Sequence, residues 1–157
     1  MQILDNSLQQ KEFKNLYKTF HLSNFPWYFI PFKVKPGDDK YQLYHLFSNR
    51  EKIHSKYFSI LSPILKLLKA KEIIRIKANL TFKQNENIFS DMHIDFKNCK
   101  TAIFYLNTNN GFTFFEEGKK ILSKENRMVI FDSNLKHCAV DCTDKKYRIV
   151  ININYHN

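Results

Sequence analysis

The stretch YRIVININY, residues 147–155, decides the fold class because apolar and polar side chains alternate along it. Ile149, Ile151 and Ile153 fall on one face of a strand, whereas Arg148 falls on the other. Such alternation is typical of a strand that packs one face against a core. An arginine on the inner face of a sheet is costly unless it meets an anion, and its planar guanidinium suits a carboxylate. The alternative is an exposed arginine that pairs with a surface glutamate.

Similar strand patterns fill most of residues 72–142, before this stretch. They are EIIRIKANLTF (72–82), DMHIDF (91–96), KTAIFYLNT (100–108), GFTFFEE (111–117), KKILS (119–123), RMVIFDS (127–133) and HCAVDC (137–142). Asparagine, aspartate, lysine and a few glycines separate them, which is typical of turns.

The N-terminal half has helical patterns instead. Apolar residues three and four apart in SLQQKEFKNLYKTF (7–20) predict a short amphipathic helix. The aromatic run NFPWYFIPFKV (24–34) contains two prolines and predicts an extended segment. Residues 41–70 predict one short and one longer helical segment, with Pro63 at a kink or in a first turn. Helices followed by closely spaced strands predict an α+β fold, mainly β, in which helices back a curved antiparallel sheet pair.

Length and composition narrow the class of protein. A chain of 157 residues suits one domain, with residues 1–72 as helical and aromatic support and residues 73–157 as the β core. The formal net charge of +10 favours a polyanion such as nucleic acid, but the lysines are scattered, which favours a solvated surface. No apolar run is long enough to suggest a membrane partner. The start lacks a signal-peptide pattern and the 3 cysteines form no CxxC pair, so we expect a cytoplasmic location.

The stretch SDMHIDF, residues 90–96, carries the strongest sign of chemistry. Residues two apart share a face of a strand, so His93 and Asp95 point the same way and Ile94 is expected to be buried on the other side. His137 supplies a third donor near the start of another strand. Two imidazoles and one carboxylate that leave metal positions open are typical of non-haem Fe(II) oxygenases. The alternative is that His93 and Asp95 are two polar residues on the wet side of a strand.

Several ordered blocks resemble those of one enzyme family. His93-x-Asp95, FYLNTNNGFTFF (104–115), NRMVIFDSNLKH (126–137) and YRIVININY together resemble the 2-oxoglutarate and Fe(II)-dependent dioxygenases of the prolyl 4-hydroxylase-like branch. They are most similar to compact members from marine bacteriophages. The resemblance covers roughly residues 73–155, and it implies a double-stranded β-helix (jelly roll) with His93, Asp95 and His137 as the iron ligands.

The same resemblance implies a set of residues around the cosubstrate. Arg148 would pair with the distal carboxylate of 2-oxoglutarate, and Tyr105 would hydrogen-bond the same group. Thr113 would line the pocket and Asn152 would add a polar contact. Relatives often have a tyrosine about ten residues before the first iron ligand, where this chain has Phe82 and Lys83, so that contact is lost or passes to Asn79. A glycine of the family is replaced by Asn110, and we expect that turn to differ slightly.

The implied activity needs Fe(II), 2-oxoglutarate and O2, with ascorbate as a supporting reductant. It would hydroxylate a C–H bond of a peptidyl substrate, proline first, or of an amino acid, and release succinate and CO2. If a phage encodes the chain, the location would be the host cytoplasm. Two alternatives stay open: nucleic-acid base oxidation or demethylation, disfavoured because no second arginine follows Arg148, and a catalytically dead β-helix that only binds. Residues 83–92 form either a mobile lid or a plain surface loop.

Overall fold

The computed structural model describes residues 1–38, 40–50 and 52–157. Its helices are α1 (Gln10–Phe20) and α2 (Ser62–Leu68), and a 3-10 turn at Phe58–Leu61 leads into α2. The strands in chain order are β1 (Gln2–Leu4), β2 (Tyr28–Ile30), β3 (Gln42–Asn49), β4 (Lys52–Ile53), β5 (Glu72–Phe82), β6 (Lys100–Tyr105), β7 (Phe112–Phe115), β8 (Lys120–Leu122), β9 (Arg127–Asp132), β10 (His137–Val140) and β11 (Tyr147–His156).

Within the described residues, these strands form two antiparallel sheets. The larger has the order β1-β9-β6-β11-β5-β3-β2, with β4 paired to the end of β3, and the smaller has the order β10-β7-β8. The two sheets form a double-stranded β-helix, or jelly roll, so the predicted fold class is confirmed. No helix in the described part of the chain is long and apolar enough to cross a bilayer.

One face of the larger sheet packs against the helices and forms the main core. Ile149, Ile151 and Ile153 of β11 lie there with Phe13 and Leu16 of α1, and all five are buried. Burial of one such side chain contributes about 1.5–3 kcal/mol. The alternation predicted for β11 is therefore confirmed, and it leaves the polar face of the strand directed away from the helices.

The two helices form for local reasons that the sequence contains. A capping box between Gln9 and Glu12 begins α1 and satisfies backbone N–H groups that have no partner within the helix. Pro63 lies in the first turn of α2, where its missing N–H costs nothing, and Lys69 ends the helix in a left-handed conformation at φ 52°. Both helices were predicted, and of the two positions expected for Pro63 it takes the first turn.

The short helix predicted in the first part of residues 41–70 is wrong, because residues 42–49 form β3. This strand lies between β2 and β5, and its backbone groups pair with both neighbours. A short apolar run fits either period, and the pairing partners decide which one forms. Since β1 to β4 all join the larger sheet, residues 1–72 contribute strands as well as helices to the fold.

Residues 91–96 also differ from their predicted strand. They form a loop that makes an isolated antiparallel bridge, in which the backbone N–H groups of His93 and His137 donate to each other's carbonyls at 3.0 Å. The expectation that Ile94 is buried on the opposite side is wrong, since Ile94 is half-buried and lines the same cavity as His93 and Asp95. The bridge brings the two histidines together without a continuous strand.

Candidate metal and cosubstrate site

A cavity of about 350 Å³ lies between the two sheets. Its walls come from β5 and β11 of the larger sheet, from β7 and β10 of the smaller sheet, and from two loops around residues 32–34 and 90–95. Apart from Tyr105, the candidate residues from the sequence all line it: Asn79, His93, Asp95, Thr113, His137, Arg148 and Asn152. Residues that are far apart along the chain therefore meet at one place.

The three candidate metal ligands lie next to one another in this cavity. The Nε2 atom of His93 is 4.0 Å from Oδ1 of Asp95, and the Nε2 atom of His137 is 3.9 Å from Oδ2 of the same carboxylate. The centroids of the two imidazole rings are 5.0 Å apart. Both imidazole Nε2 atoms thus lie about 4 Å from the Asp95 carboxylate, each beside a different oxygen.

Backbone carbonyls fix the orientation of both imidazoles. Nδ1 of His93 lies 2.8 Å from the carbonyl oxygen of Asp91, and Nδ1 of His137 lies 3.1 Å from that of Leu135. In each case Nδ1–H donates, so the lone pair of Nε2 is left free on the cavity side. An imidazole held through its other nitrogen in this way is the usual form of a metal-binding histidine.

Three side chains hold the carboxylate of Asp95. Arg75 donates from Nη2 to Oδ1 at 2.8 Å, Asn152 donates from Nδ2 to Oδ2 at 2.8 Å, and Asn154 donates to the same oxygen at 3.3 Å. Carboxylate oxygens each carry two lone pairs, so these contacts leave room for a metal bond.

Charge and burial put Asp95 and His137 into the protonation states that bind metals. Burial alone would raise the pKa of Asp95, but the charge of Arg75 and the hydrogen bond from Asn152 outweigh it and hold that pKa below its ordinary value. Burial lowers the pKa of His137, which favours the neutral imidazole. An ionised carboxylate and neutral imidazoles are the forms that coordinate divalent cations.

The donor set fits a metal in type and orientation but is not already closed. Among the described residues, no group of three or more His, Cys, Asp or Glu side chains is already arranged to hold a metal ion. Bonds of about 2.1 Å at right angles place neighbouring donors about 3 Å apart, so these groups have to approach one another by roughly 1 Å. Small side-chain rotations of that size suit a site that closes on its ion.

Arg148 lies at the other end of the cavity, where it is 2% exposed. Its Nε donates to Oγ of Ser123 at 2.8 Å, and its Nη2 lies 3.4 Å from Oγ1 of Thr113. Both contacts are to neutral groups, and no carboxylate in the described part of the chain forms an ion pair with it. The alternative of an exposed arginine with a surface glutamate is therefore excluded, and a buried guanidinium is left to meet an anion in the cavity.

Gly111 and Thr113 shape the wall beside Arg148. A Cβ atom at position 111 would lie 2.8 Å from Cδ of Arg148 and 2.8 Å from the carbonyl oxygen of Val140, so only glycine fits without displacing them. Tyr105 is fully buried behind this wall, and its hydroxyl donates to Oγ1 of Thr113 at 2.7 Å. Tyr105 therefore contacts the cavity through Thr113 rather than directly.

The inner face of β5 supplies side chains that the sequence did not single out. Arg75, Lys77 and Thr81 line the cavity together with Asn79, because residues two apart share a face. The buried Oδ1 of Asn79 and Oγ1 of Thr81 have no hydrogen-bond partner among the described residues. Unsatisfied buried polar atoms at a cavity wall suit a polar ligand. The alternation of polar residues was visible in the segment RIKANLT, but the sequence did not show that this polar face lines a cavity until β5 was paired with β11.

A loop from the N-terminal half closes one side of the cavity. Lys33 forms an ion pair with Asp141, and both side chains are almost completely buried. The carboxylate of Asp38 accepts backbone N–H groups of Lys33 and Val34 and so holds this loop in shape. The sequence did not predict this wall, because its two charged partners are 108 residues apart.

The segment 83–92, which stays a candidate lid, is tied to β10. The backbone N–H of Ser90 donates to the carbonyl of Ala139 at 2.8 Å, and Nδ2 of Asn87 donates to the carbonyl of Asp141 at 2.9 Å. In this structure the segment forms part of the wall beside His93.

Solved structures with the same fold are found among oxygenases. An oxidoreductase of the 2OG-Fe(II) oxygenase family from Burkholderia pseudomallei superposes with a TM-score of 0.73 at 12% identity, covering 98% of this chain and 84% of that one. A prolyl-4-hydroxylase from Pseudomonas putida gives 0.69 at 11% identity, covering 99% and 92%. A prolyl hydroxylase from Trichoplax adhaerens, in complex with a hypoxia inducible factor peptide fragment, gives 0.67 at 13% identity, covering 99% and 82%.

The chain has the fold of these oxygenases. At such low identity the similarity establishes the fold and leaves the reaction to the site itself. No protein-family model matches the sequence, and no curated protein matches it.

Proposed function

We propose that this protein is a 2-oxoglutarate- and Fe(II)-dependent dioxygenase that hydroxylates a C–H bond of a peptidyl substrate, proline first, or of an amino acid. The observation that carries this proposal is the convergence of His93, Asp95 and His137 on one cavity whose far end holds the buried Arg148. The fold shared with 2OG-Fe(II) oxygenases supports it.

In this proposal each lining residue has a separate task. His93, Asp95 and His137 would hold the iron, and Arg148 would bind the distal carboxylate of 2-oxoglutarate with Thr113 beside it. Asn79 and Thr81, whose buried oxygens have no partner among the described residues, would contact the cosubstrate or a water next to it. When bound, iron and 2-oxoglutarate would supply the oxidation, in which O2 converts the keto acid to succinate and CO2 and hydroxylates the substrate.

The protein's own contribution is orientation and exclusion of water. Arg75 and Asn152 hold the carboxylate of Asp95, and the carbonyls of Asp91 and Leu135 hold the two imidazoles. Tyr105 holds the hydroxyl of Thr113 from behind. A set of ligands supported in this manner is held on its metal with little loss of freedom on binding.

The proposal is tested first without a substrate. Wild-type protein is expected to bind one equivalent of Mn(II), used as a stable substitute for Fe(II), and Asp95→Ala is expected to lose that binding in a calorimetric titration. Glu125→Ala removes an exposed carboxylate outside the cavity and serves as the matched control. Equal Mn(II) binding in wild type and Asp95→Ala would contradict the proposed metal site.

The second test measures the reaction. With Fe(II), 2-oxoglutarate, ascorbate and O2, a panel of proline-containing peptides and amino acids is expected to include one that gains an oxygen atom, seen by mass spectrometry, with equimolar succinate. His93→Ala is expected to abolish both products. An oligonucleotide in the panel tests the alternative of base oxidation. If the protein binds metal and 2-oxoglutarate but forms no succinate with any member of the panel, the result favours the alternative of a catalytically dead β-helix that only binds.

A further inference from the structure

The cavity contains more positive charge than its proposed tasks require. In the described part of the chain, Lys33, Arg75, Lys77 and Arg148 are its cationic lining residues. Lys33 pairs with Asp141, and Arg75 pairs with Asp95. Arg148 is committed to 2-oxoglutarate in the proposed function. Lys77 remains, and no described residue forms an ion pair or hydrogen bond with its Nζ.

The position of Lys77 separates it from the cosubstrate end of the cavity. It lies opposite Asn152 in the pairing of β5 with β11, and Asn152 holds the carboxylate of Asp95. Arg148 instead lies opposite Thr81, four residues further along β5. At about 3.3 Å per residue, the two backbone positions are roughly 13 Å apart along the sheet. Lys77 therefore belongs to the metal end of the cavity.

The surroundings of Lys77 make its charge costly. Its Nζ lies 5.2 Å from the ring centroid of Tyr44, which offers only a weak cation–π attraction. Burial and the neighbouring charge of Arg75, opposed by the attraction of Asp95, lower the pKa of Lys77 to about 8, so the ammonium is still mostly protonated at neutral pH. A half-buried charge is normally paired, and this one has no partner in the described protein.

Binding of metal and cosubstrate does not change this balance. The two charges of a divalent iron and the two of the 2-oxoglutarate dianion sum to zero, so the four lining cations still outnumber the anions Asp95 and Asp141 by two. The surplus positive charge next to the metal end is thus left for the remaining ligand, which is the substrate.

We infer that Lys77 binds a carboxylate of the substrate, with the ring of Tyr44 near its ammonium. The substrate class is then a free amino acid, a residue at a peptide's C-terminus or an acidic side chain, rather than a residue within an uncharged peptide segment. That the bound carboxylate belongs to a substrate rests on the proposed function, whereas the carboxylate site at Lys77 depends only on the cavity.

Propionate and propionamide test the site without turnover, since they have nearly the same shape and differ by one charge. Each is titrated into ¹⁵N-labelled protein, and the amide resonances of Arg75 to Asn79 are followed by NMR. Saturating 2-oxoglutarate occupies Arg148 first. In titrations without 2-oxoglutarate, only shifts of the Arg75 to Asn79 resonances are taken as binding at Lys77. Propionate is expected to shift these resonances and to bind at least tenfold more tightly than propionamide.

Three variants identify the group responsible. Lys77→Met is expected to weaken propionate binding at least tenfold, to the level of propionamide, and Lys77→Arg is expected to restore most of it. Lys14→Met removes the same charge from the exposed face of α1 and should bind propionate as wild type does. The amide spectrum of each variant reports whether it is folded. Equal binding of both probes by wild type, or propionate binding that survives Lys77→Met, overturns the inference.

Activity then distinguishes the sources of the carboxylate. L-proline, peptides that end in a free carboxylate and their C-terminal amides, and peptides with an internal glutamate are compared by succinate formation. If propionate binding depends on Lys77 but no succinate forms, the proposed oxygenase activity is contradicted and the carboxylate site at Lys77 is supported. If peptides without a free carboxylate are oxidised as fast by Lys77→Met as by wild type, the role of Lys77 in substrate binding is contradicted and the oxygenase activity is supported.

Discussion

Gly111→Ala offers a direct test of how the cavity holds its arginine. The new Cβ atom would lie 2.8 Å from Cδ of Arg148, 2.8 Å from the carbonyl oxygen of Val140 and 2.9 Å from Oδ1 of Asn109. Ordinary carbon contacts begin near 3.5 Å, so Arg148 has to retreat or the backbone of Val140 has to move. The effect is steric, because Gly111 lacks the left-handed φ that Gly118 has at 87°.

Two consequences follow, one for stability and one for binding. Overpacking of this kind costs about 1–3 kcal/mol, which in a chain of this size lowers Tm by roughly 3–10 °C. A displaced Arg148 loses part of a charge-assisted contact worth about 1.5–3 kcal/mol, so half-saturation by 2-oxoglutarate is expected to rise about tenfold.

Thermal unfolding by circular dichroism and a 2-oxoglutarate titration measure the two effects. Gly118→Ala is the control, since its positive φ costs about 1–2 kcal/mol in stability but no atom lies within 4 Å of the added Cβ. It should lower Tm and leave half-saturation unchanged. Wild-type half-saturation in Gly111→Ala, or an equal rise in Gly118→Ala, would refute this account of the wall.

Three further predictions concern stability. Ile151→Ala, at a fully buried position, should cost about 2–5 kcal/mol in urea unfolding, and a cost below 1 kcal/mol would contradict the core described above. Lys33→Met leaves Asp141 buried without its cation and should cost about 3–5 kcal/mol, much of which Lys33→Met with Asp141→Asn should recover in the same assay. The hydrogen bond from Arg127 lowers the pKa of Asp5 to about 2, so its stabilisation is complete above pH 3.8 and lost as the pH falls through 2. Acid unfolding of Asp5→Asn should therefore depend less on pH between 2 and 4, and identical profiles would contradict the pairing.

Most of the fold was readable from short patterns. The alternation in β5 and β11 is a property of neighbouring residues, and a strand with one apolar face keeps that pattern wherever it pairs. It also placed Arg148 on the face opposite Ile149, where the structure finds it buried. The amphipathic spacing in α1 was equally local.

The errors arose where pairing partners decide the outcome. Residues 42–49 have apolar spacing that suits a helix or a strand, and β2 and β5 on either side make them a strand. Residues 91–96 alternate like a strand but meet only the start of β10, so they stay a loop with one bridge. Local preference is weak compared with the backbone hydrogen bonds that a neighbouring strand offers.

The sequence by itself determined which residues have donor groups and which side of β5 and β11 they occupy. The tertiary structure alone decided that Arg75 would hold Asp95, that Tyr105 would act through Thr113, and that Lys77 would be left without a partner. These are distances between residues on different strands, and they depend on sheet order and register. Periodicity along one strand contains no information about its neighbour, so the surplus charge in the cavity became visible only when the strands were paired.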